Sequence, residues 1–372
     1  MTEMSYRPTW IEVDLNAIDY NINQLKRRLS EHTEIFAVVK ANGYGHGDVE
    51  VAKAALKAGA SMLAVALLEE AIKLRHAGIE VPILVLGWVA PEYAPIAVKH
   101  DITLTFFQKE WVQSVKQLSF RGALTLHLKI DTGMGRIGVK TEDELTALLE
   151  ELDDERLQLT GLFTHFATAD EADLNYFQQQ QQTWLSFQQL ISSYRQDVMY
   201  HTGNSAASMR FPDKMFDAVR FGISMYGLYP SGVVKQEKPI ELQPAMSLHS
   251  KLVHVKQLPP GSFVSYGATY TTKSDEWIGT VPIGYADGLA RSLTGMDVLI
   301  DGKRMPIVGK ICMDQCMIKL DQSYPIGTQV TFIGKQRNEE ISMDEIADRL
   351  NTINYEVACM LTQRIRRTYV NQ

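Results

Sequence analysis

Between residues 35 and 221 the sequence repeats one rhythm, and that repetition constrains the fold more than any single motif. Short apolar runs recur at Ile35–Val39, Met62–Leu67, Pro82–Leu86, Ile102–Phe106, Leu124–Ile130, Leu159–Phe166, Met199–His201 and Ala218–Phe221. Helix-patterned stretches lie between them, among them Val49–Ala58 behind Asp48 as N-cap, Glu69–His76 closed by Gly78, Lys109–Leu118 and Glu142–Leu152. Parallel strands need a crossover between them, and runs that are apolar throughout mark strands covered on both faces. Eight such units predict an α/β chain whose strands close into a (β/α)8 TIM barrel. An open doubly wound sheet is the alternative with the same local pattern. A barrel carries its chemistry at the C-terminal ends of its strands. The polar residues closing these runs are Lys40, Asp131, His165, His201 with Asn204 and Ser205, and Arg220.

Beyond about residue 240 the rhythm changes. Met246–Val255, Ser262–Thr271, Trp277–Ile283, Asp297–Ile300, Met305–Gly309, Cys312–Leu320 and Gln329–Ile333 read as short strands, separated by turn signals such as Asp301-Gly302. Ser342-Met343-Asp344-Glu345 is a capping box opening a helix to about Leu350. The expected division is therefore a barrel over residues 1–240 and a mainly antiparallel β domain over 241–372. The alternating run Trp10–Leu15 is a candidate strand of the second domain. The glutamine-rich stretch after Phe177 is read as a helix: Phe177, Trp184, Phe187 and Ile191 share one face, and the glutamines are assigned to the solvated side.

Charge narrows the function classes. A net charge of −7 lacks the basic stripe of a nucleic-acid binder. No apolar run has the length of a membrane span, and the first residues lack a signal-peptide core, so the expected location is the cytoplasm, away from any membrane. Three cysteines with no C-x-x-C pair indicate neither a disulfide framework nor a zinc knuckle.

The motif Val38-Val39-Lys40-Ala41-Asn42-Gly43-Tyr44-Gly45-His46-Gly47 sends a lysine out of a buried strand into a glycine-rich loop. Desolvation lowers a lysine's pKa, and such an amine forms a Schiff base with an aldehyde; the plainer reading is a rim lysine beside a flexible loop. Lys129–Gly138 ends a second strand in a glycine-rich loop bearing Arg136, a group suited to a carboxylate. Ser205 and Gly222, after the seventh and eighth strands, lie where barrels bind phosphate. In the β domain Tyr266 and Tyr285 each stand beside glycine. A tyrosine acts as a base only where neighbouring cations lower its pKa, and is otherwise a packed aromatic.

Taken in order, Val38–Gly47, Asp131–Gly138, His201–Ser205, Arg220–Gly227, Ser265–Tyr270, Gly284–Gly288 and Cys312-Met313-Asp314-Gln315 resemble the motifs of bacterial alanine racemases, from Trp10 to Tyr369. The resemblance implies a pyridoxal 5'-phosphate enzyme that interconverts L- and D-alanine, supplying D-alanine for peptidoglycan. It also implies a homodimer with composite active sites. Lys40 is similar to the lysine that holds the cofactor and moves a proton on one face of the substrate. Tyr266, supplied by the second subunit, is similar to the opposing base. Arg220, held by His201, resembles the partner of the pyridine nitrogen, and His165 a neighbour of the ring hydroxyl. Tyr44, Asn204, Ser205, Gly222, Ile223 and Tyr355 resemble cofactor-binding positions, most of them at the phosphate. Arg136 and the backbone of Met313 resemble the carboxylate holders, and Tyr285 with Tyr355 the narrow entrance. Lys129 matches a lysine that is carbamylated in some members. Lys310 departs from the family, which usually has arginine there. The competing readings are an amino-acid decarboxylase of the same architecture, a non-catalytic pyridoxal-phosphate carrier, and a metal-dependent barrel hydrolase using Asp131, His165 and His201.

Overall fold

The computed structural model describes residues 6–194 and 197–371. Strand β1 (Thr9–Asp14) is followed by the helix Leu15–Lys26 and then by eight strands: β2 (Glu34–Val38), β3 (Met62–Val65), β4 (Ile83–Val85), β5 (Thr103–Phe106), β6 (Leu124–Lys129), β7 (Leu157–Phe163), β8 (Met199–Gly203) and β9 (Ala218–Phe221). Each pairs in parallel with the next, and β9 returns to β2, so the sheet is a closed barrel. The open-sheet alternative is thereby excluded. Every residue of β3, β4, β5 and β9 is buried, which is why β3 and β4 read as apolar without alternation. Phe36, Met62, Leu84 and Ala218 fill part of the interior.

Among the described residues the remaining strands form a ten-stranded, mainly antiparallel sheet. They are β10 (Met246–Lys251), β11 (His254–Leu258), β12 (Phe263–Val264), β13 (Tyr270–Thr271), β14 (Glu276–Val281), β15 (Asp297–Ile300), β16 (Lys303–Val308), β17 (Cys316–Leu320), β18 (Gln329–Gln336), β19 (Glu339–Ile341) and β20 (Arg366–Val370), with β12 and β13 forming a ribbon of their own. Strand β1 belongs here, antiparallel to β10 and parallel to β20. Asp301 and Gly302, both at positive φ, make the turn between β15 and β16.

The chain divides into two compact units. One contains Met1–Asn16, Tyr44–Gly47 and Ala245–Gln372; the other contains Ala17–Gly43 and Asp48–Pro244. The four residues Tyr44–Gly47 thus pack with the sheet although they stand in a barrel loop. A Cβ on Gly45 would lie 2.2 Å from the Ala358 carbonyl oxygen, so only glycine fits that approach.

Three local expectations need correction. Residues 246–255 are not one strand: β10 ends at Lys251 and β11 begins at His254, the first pairing with β1 and β18 and the second with β14. Residues 262–271 are not one strand: the short ribbon β12–β13 is interrupted by a turn over Tyr266–Ala268 in which Ser265, Gly267 and Ala268 have positive φ. In the helix Asn175–Tyr194 the apolar face is as expected, but Gln180 is fully buried with it. Its carbonyl oxygen accepts from the Ala167 N–H, and its amide donates to the His165 carbonyl. A glutamine that satisfies both ends of its amide can lie in a core without an unmet polar group.

Candidate active site

The barrel unit gathers Lys40, Lys129, Arg136, His165, His201, Asn204, Ser205, Arg220, Gly222 and Ile223 on the ends of its strands or the loops after them. Arg220, buried on β9, is the most heavily bonded. It donates to the His201 carbonyl (2.5 Å), the Thr164 carbonyl (2.6 Å), the Thr202 carbonyl (3.2 Å) and His201 Nδ1 (2.9 Å). Since guanidinium only donates, His201 Nδ1 must accept, which puts the imidazole proton on Nε2. Nε2 then donates to His127 Nδ1 at 2.9 Å. The His127 ring fits because its neighbour across β6 and β7 is Gly161, where a Cβ would stand 2.6 Å from it. His201 also stacks on Phe163, whose ring lies beneath both Arg220 and Lys129.

Electrostatics follow from this crowding of cations. Burial, then Arg220, pushes His127 down to about 3; burial and Arg220 likewise hold His201 far below its ordinary range. His165 is held low by burial and then by Arg220, Lys129, Arg136 and Lys40 in turn. Arg220 itself is lowered to about 9, mainly by burial. Lys129, buried on β6 with its ammonium on the Ile130 carbonyl, is brought to about 7 by burial and Arg220, against the opposing pull of Asp131. Asp131 is occupied elsewhere, accepting from the Gly133 and Gly135 N–H groups of the loop that carries Arg136.

These histidines predict a pH effect on stability. A histidine depressed in the folded state is neutral there but protonates in the unfolded chain below about 6.5. Its contribution is therefore full above that pH and is lost as pH falls toward the folded value, at up to about 1.4 kcal/mol per pH unit. For His127 the window runs from about 6.5 to about 3. His127→Asn, which offers an amide oxygen to His201 Nε2, is expected to flatten the pH slope of the urea-unfolding free energy between pH 6 and 5 by about that amount. An unchanged slope would mean that His127 titrates normally in the folded protein.

Directly after β8, Asn204 caps the helix Ser205–Arg210 by accepting from the Ala207 N–H. Ser205 Oγ accepts from the Gly222 N–H at 3.0 Å, joining that helix start to the turn Ile223–Tyr226. First-turn N–H groups have no partner inside their helix and suit an anion.

The other expected residues belong to the sheet unit. Tyr285 and Ala286 donate their N–H groups to the carbonyls of Cys312 and Met313, so these two loops hold each other. Ser265 Oγ donates to the Lys310 carbonyl, which brings the Tyr266 turn alongside. The ribbon behind Tyr266 is anchored by Tyr270 Oη donating to Glu276, a buried carboxylate paired with Lys319. Tyr44 and Tyr355 pack ring to ring at 6.3 Å. Among the described residues no cluster of three or more His, Cys, Asp or Glu is placed to hold a metal ion, so Asp131, His165 and His201 do not form one. No described helix is long and apolar enough to cross a membrane.

Sequence reasoning did not single out His127, Phe163, Gln180 or Glu70. The first two stood inside apolar runs, where a ring residue reads as core.

Comparison with known proteins places these residues in context. Residues 13–230 match the family model "Alanine racemase, N-terminal domain", and residues 245–369 match "Alanine racemase, C-terminal domain". The chain is 54% identical to alanine racemase 1 of Bacillus subtilis over 371 residues, covering 99% of this chain and 95% of the relative. The crystal structure of alanine racemase from Bacillus anthracis with bound L-Ala-P is similar with a TM-score of 0.97 at 48% identity, covering 99% and 96% of the two chains. A histidine racemase from Leuconostoc mesenteroides shares the fold over the full length of both chains, with a TM-score of 0.91 at 34% identity.

Proposed function

This chain belongs to the alanine racemase family, a family of isomerases, and we propose that it interconverts L- and D-alanine with two opposed bases, Lys40 and Tyr266, and pyridoxal 5'-phosphate as cofactor. The observation that carries the reading is the crowding of basic groups at one barrel end: Lys129 and Arg220 both lie over the Phe163 ring, and Arg220 reaches His201 and His165. So many cations on one barrel end call for anionic ligands, and a phosphate plus a substrate carboxylate supply the charge. The chain's own groups fit that cofactor. Ser205, Gly222 and Ile223 provide hydroxyl and backbone donors for the phosphate, with Asn204 fixing the helix start and Tyr44 and Tyr355 completing the set. Arg220, oriented by His201, would hold the cofactor's pyridine nitrogen as a hydrogen-bond donor and so favour its unprotonated form, and His165 would stand toward the ring hydroxyl. When bound, pyridoxal phosphate supplies the electron sink that makes the alanine Cα–H acidic.

Inversion at Cα needs a base on each face, because a single base returns the proton to the side it left. Lys40 serves one face and Tyr266 the other. Arg136 and the Met313 backbone hold the substrate carboxylate, while Tyr285 and Tyr355 narrow the entrance to a small side chain, with Lys310 beside it. Tyr266, Met313 and Phe263 are 72%, 53% and 69% exposed in the single chain. An apolar and reactive surface of that kind supports a homodimer in which Tyr266 completes the partner's site. The product fits a cytoplasmic supply of D-alanine for peptidoglycan.

Lys129 carries a further part of the proposal. At pH 8 an amine of pKa about 7 is about nine-tenths neutral, against well under about 1% at its ordinary value, and only the neutral amine adds carbon dioxide. Carbamylation would turn a cation crowded by Arg220 and Arg136 into an anion that orients Arg136. Native mass spectrometry at pH 8 is expected to find one carbon dioxide on the chain, lost in Lys129→Ala; a bare chain throughout would overturn this.

The function itself is tested by circular dichroism of L-alanine incubated with the pyridoxal-phosphate-loaded protein. The signal is expected to decay to zero with equal amounts of the two enantiomers recovered. Release of carbon dioxide would favour the decarboxylase, and a constant signal would refute the racemase reading.

A further inference from the structure

Lys40 leaves β2 into backbone that an ordinary chain avoids. Ala41 (φ 52°), Asn42 (φ 53°), Gly43 (φ 60°) and Tyr44 (φ 49°) make four consecutive left-handed positions, only one of them glycine. Each non-glycine residue there carries a steric penalty, so the turn persists only where its surroundings hold it.

The helix Leu68–His76 supplies the hold. Glu70 Oε1 accepts from the Ala41 N–H at 2.6 Å, immediately after the lysine. Its other oxygen accepts from the N–H groups of Ala66 (2.8 Å) and Leu67 (3.1 Å) at the end of β3 and the start of its own helix. One turn further along, Lys73 donates to both carboxylate oxygens of Asp48, at 2.7 and 2.8 Å, where the loop re-enters helix. Residues three apart share a helix face, so one face grips the loop at its entry and its exit. From the other direction Tyr226 Oη donates to the Val38 carbonyl at 2.9 Å, fixing the strand end before Lys40.

We infer that Glu70 is a positioning residue for Lys40: its carboxylate joins the end of β3 to the strained turn and so sets where the lysine side chain starts. This rests on the proposed role of Lys40. The competing view is that Glu70 merely closes a capping box on its own helix. The two views separate in Glu70→Gln. A glutamine retains one acceptor oxygen for the cap at Ala66 and Leu67, but turns its NH2 toward the Ala41 N–H, where donor meets donor.

The test uses the full-length chain. Hydrogen exchange of Glu70→Gln apoprotein is expected to rise about tenfold or more over residues 40–44, with residues 68–76 unchanged. Covalent capture of pyridoxal phosphate, fixed by borohydride and followed by peptide mass, is expected to slow about as much. In the loaded enzyme kcat is expected to fall more than KM rises. Lys73→Met, which frees only the loop's exit, is expected to raise exchange nearer residue 48 and leave capture less affected. Faster exchange confined to residues 68–76, or wild-type exchange over 40–44, would overturn the inference. Borohydride label on a lysine other than Lys40 in the wild type would instead refute the catalytic reading, leaving the exchange result to judge the clamp.

Discussion

Lys40→Ala is expected to lower racemisation by about 10⁴-fold or more, and to abolish the borohydride-stable cofactor label while leaving the barrel folded. Two losses combine. The acid–base group on one face of Cα is removed, a contribution of about 10²–10⁴-fold by itself. The cofactor also loses its covalent tether and is held only by the donors around Ser205, Gly222 and Arg220. Folding should survive because Lys40 is a partly exposed residue beyond β2 rather than part of the barrel interior. The measurement is kcat/KM by circular dichroism beside the peptide mass of the reduced holoprotein. Residual activity within about tenfold of wild type would remove Lys40 from the catalytic pair.

Tyr266→Phe deletes one hydroxyl from an exposed turn and is expected to reduce turnover by about 10²–10⁴-fold. The two enantiomers are equally stable, so kcat/KM must fall equally in both directions. The asymmetry appears in isotope effects. If Tyr266 takes the proton from L-alanine, its loss makes that removal rate-limiting, and Cα-deuterated L-alanine should show a large primary effect. From D-alanine, Lys40 still removes the proton readily and the slow step becomes its return on the opposite face. Cα-deuterated D-alanine should then react with an effect near unity. Equal effects in both directions would contradict the assignment of faces.

The barrel was legible because strands covered on both sides leave an uninterrupted apolar signature, plainest at β2, β3 and β4, and because eight such runs recur with helices between them. Asp301-Gly302 was equally plain, since few residues accept positive φ at two successive positions. What escaped had a common cause: polar residues satisfied by partners far away in sequence. Gln180 reads as one of a solvated run until the Ala167 N–H and the His165 carbonyl are seen to meet its amide. His127 lies in an apolar strand and gains meaning only from His201, 74 residues later. The extended strand expected over residues 262–271 failed because the β-type residues around Tyr266 are overridden by a left-handed turn pinned to Lys310. The family's motifs named Lys40 and Arg220 directly. They were silent on Glu70, whose partner at Ala41 is a backbone group with no residue identity to read.

Strand β1 lies inside the large sheet, between β10 and β20, and runs parallel to β20. Its two neighbours are separated from it by about 230 and about 350 residues of chain. At about 5–20 residues per second, a ribosome needs on the order of ten seconds or more to deliver the nearer neighbour, and longer for the farther. Through that interval the Ile11 and Val13 side chains, fully buried once the sheet is complete, have no place to go. The barrel can close early, strand by strand, while β1, made before any barrel strand, is among the last to be enclosed. Aggregation during rapid synthesis should therefore begin at β1, whose apolar face waits longest for its partners.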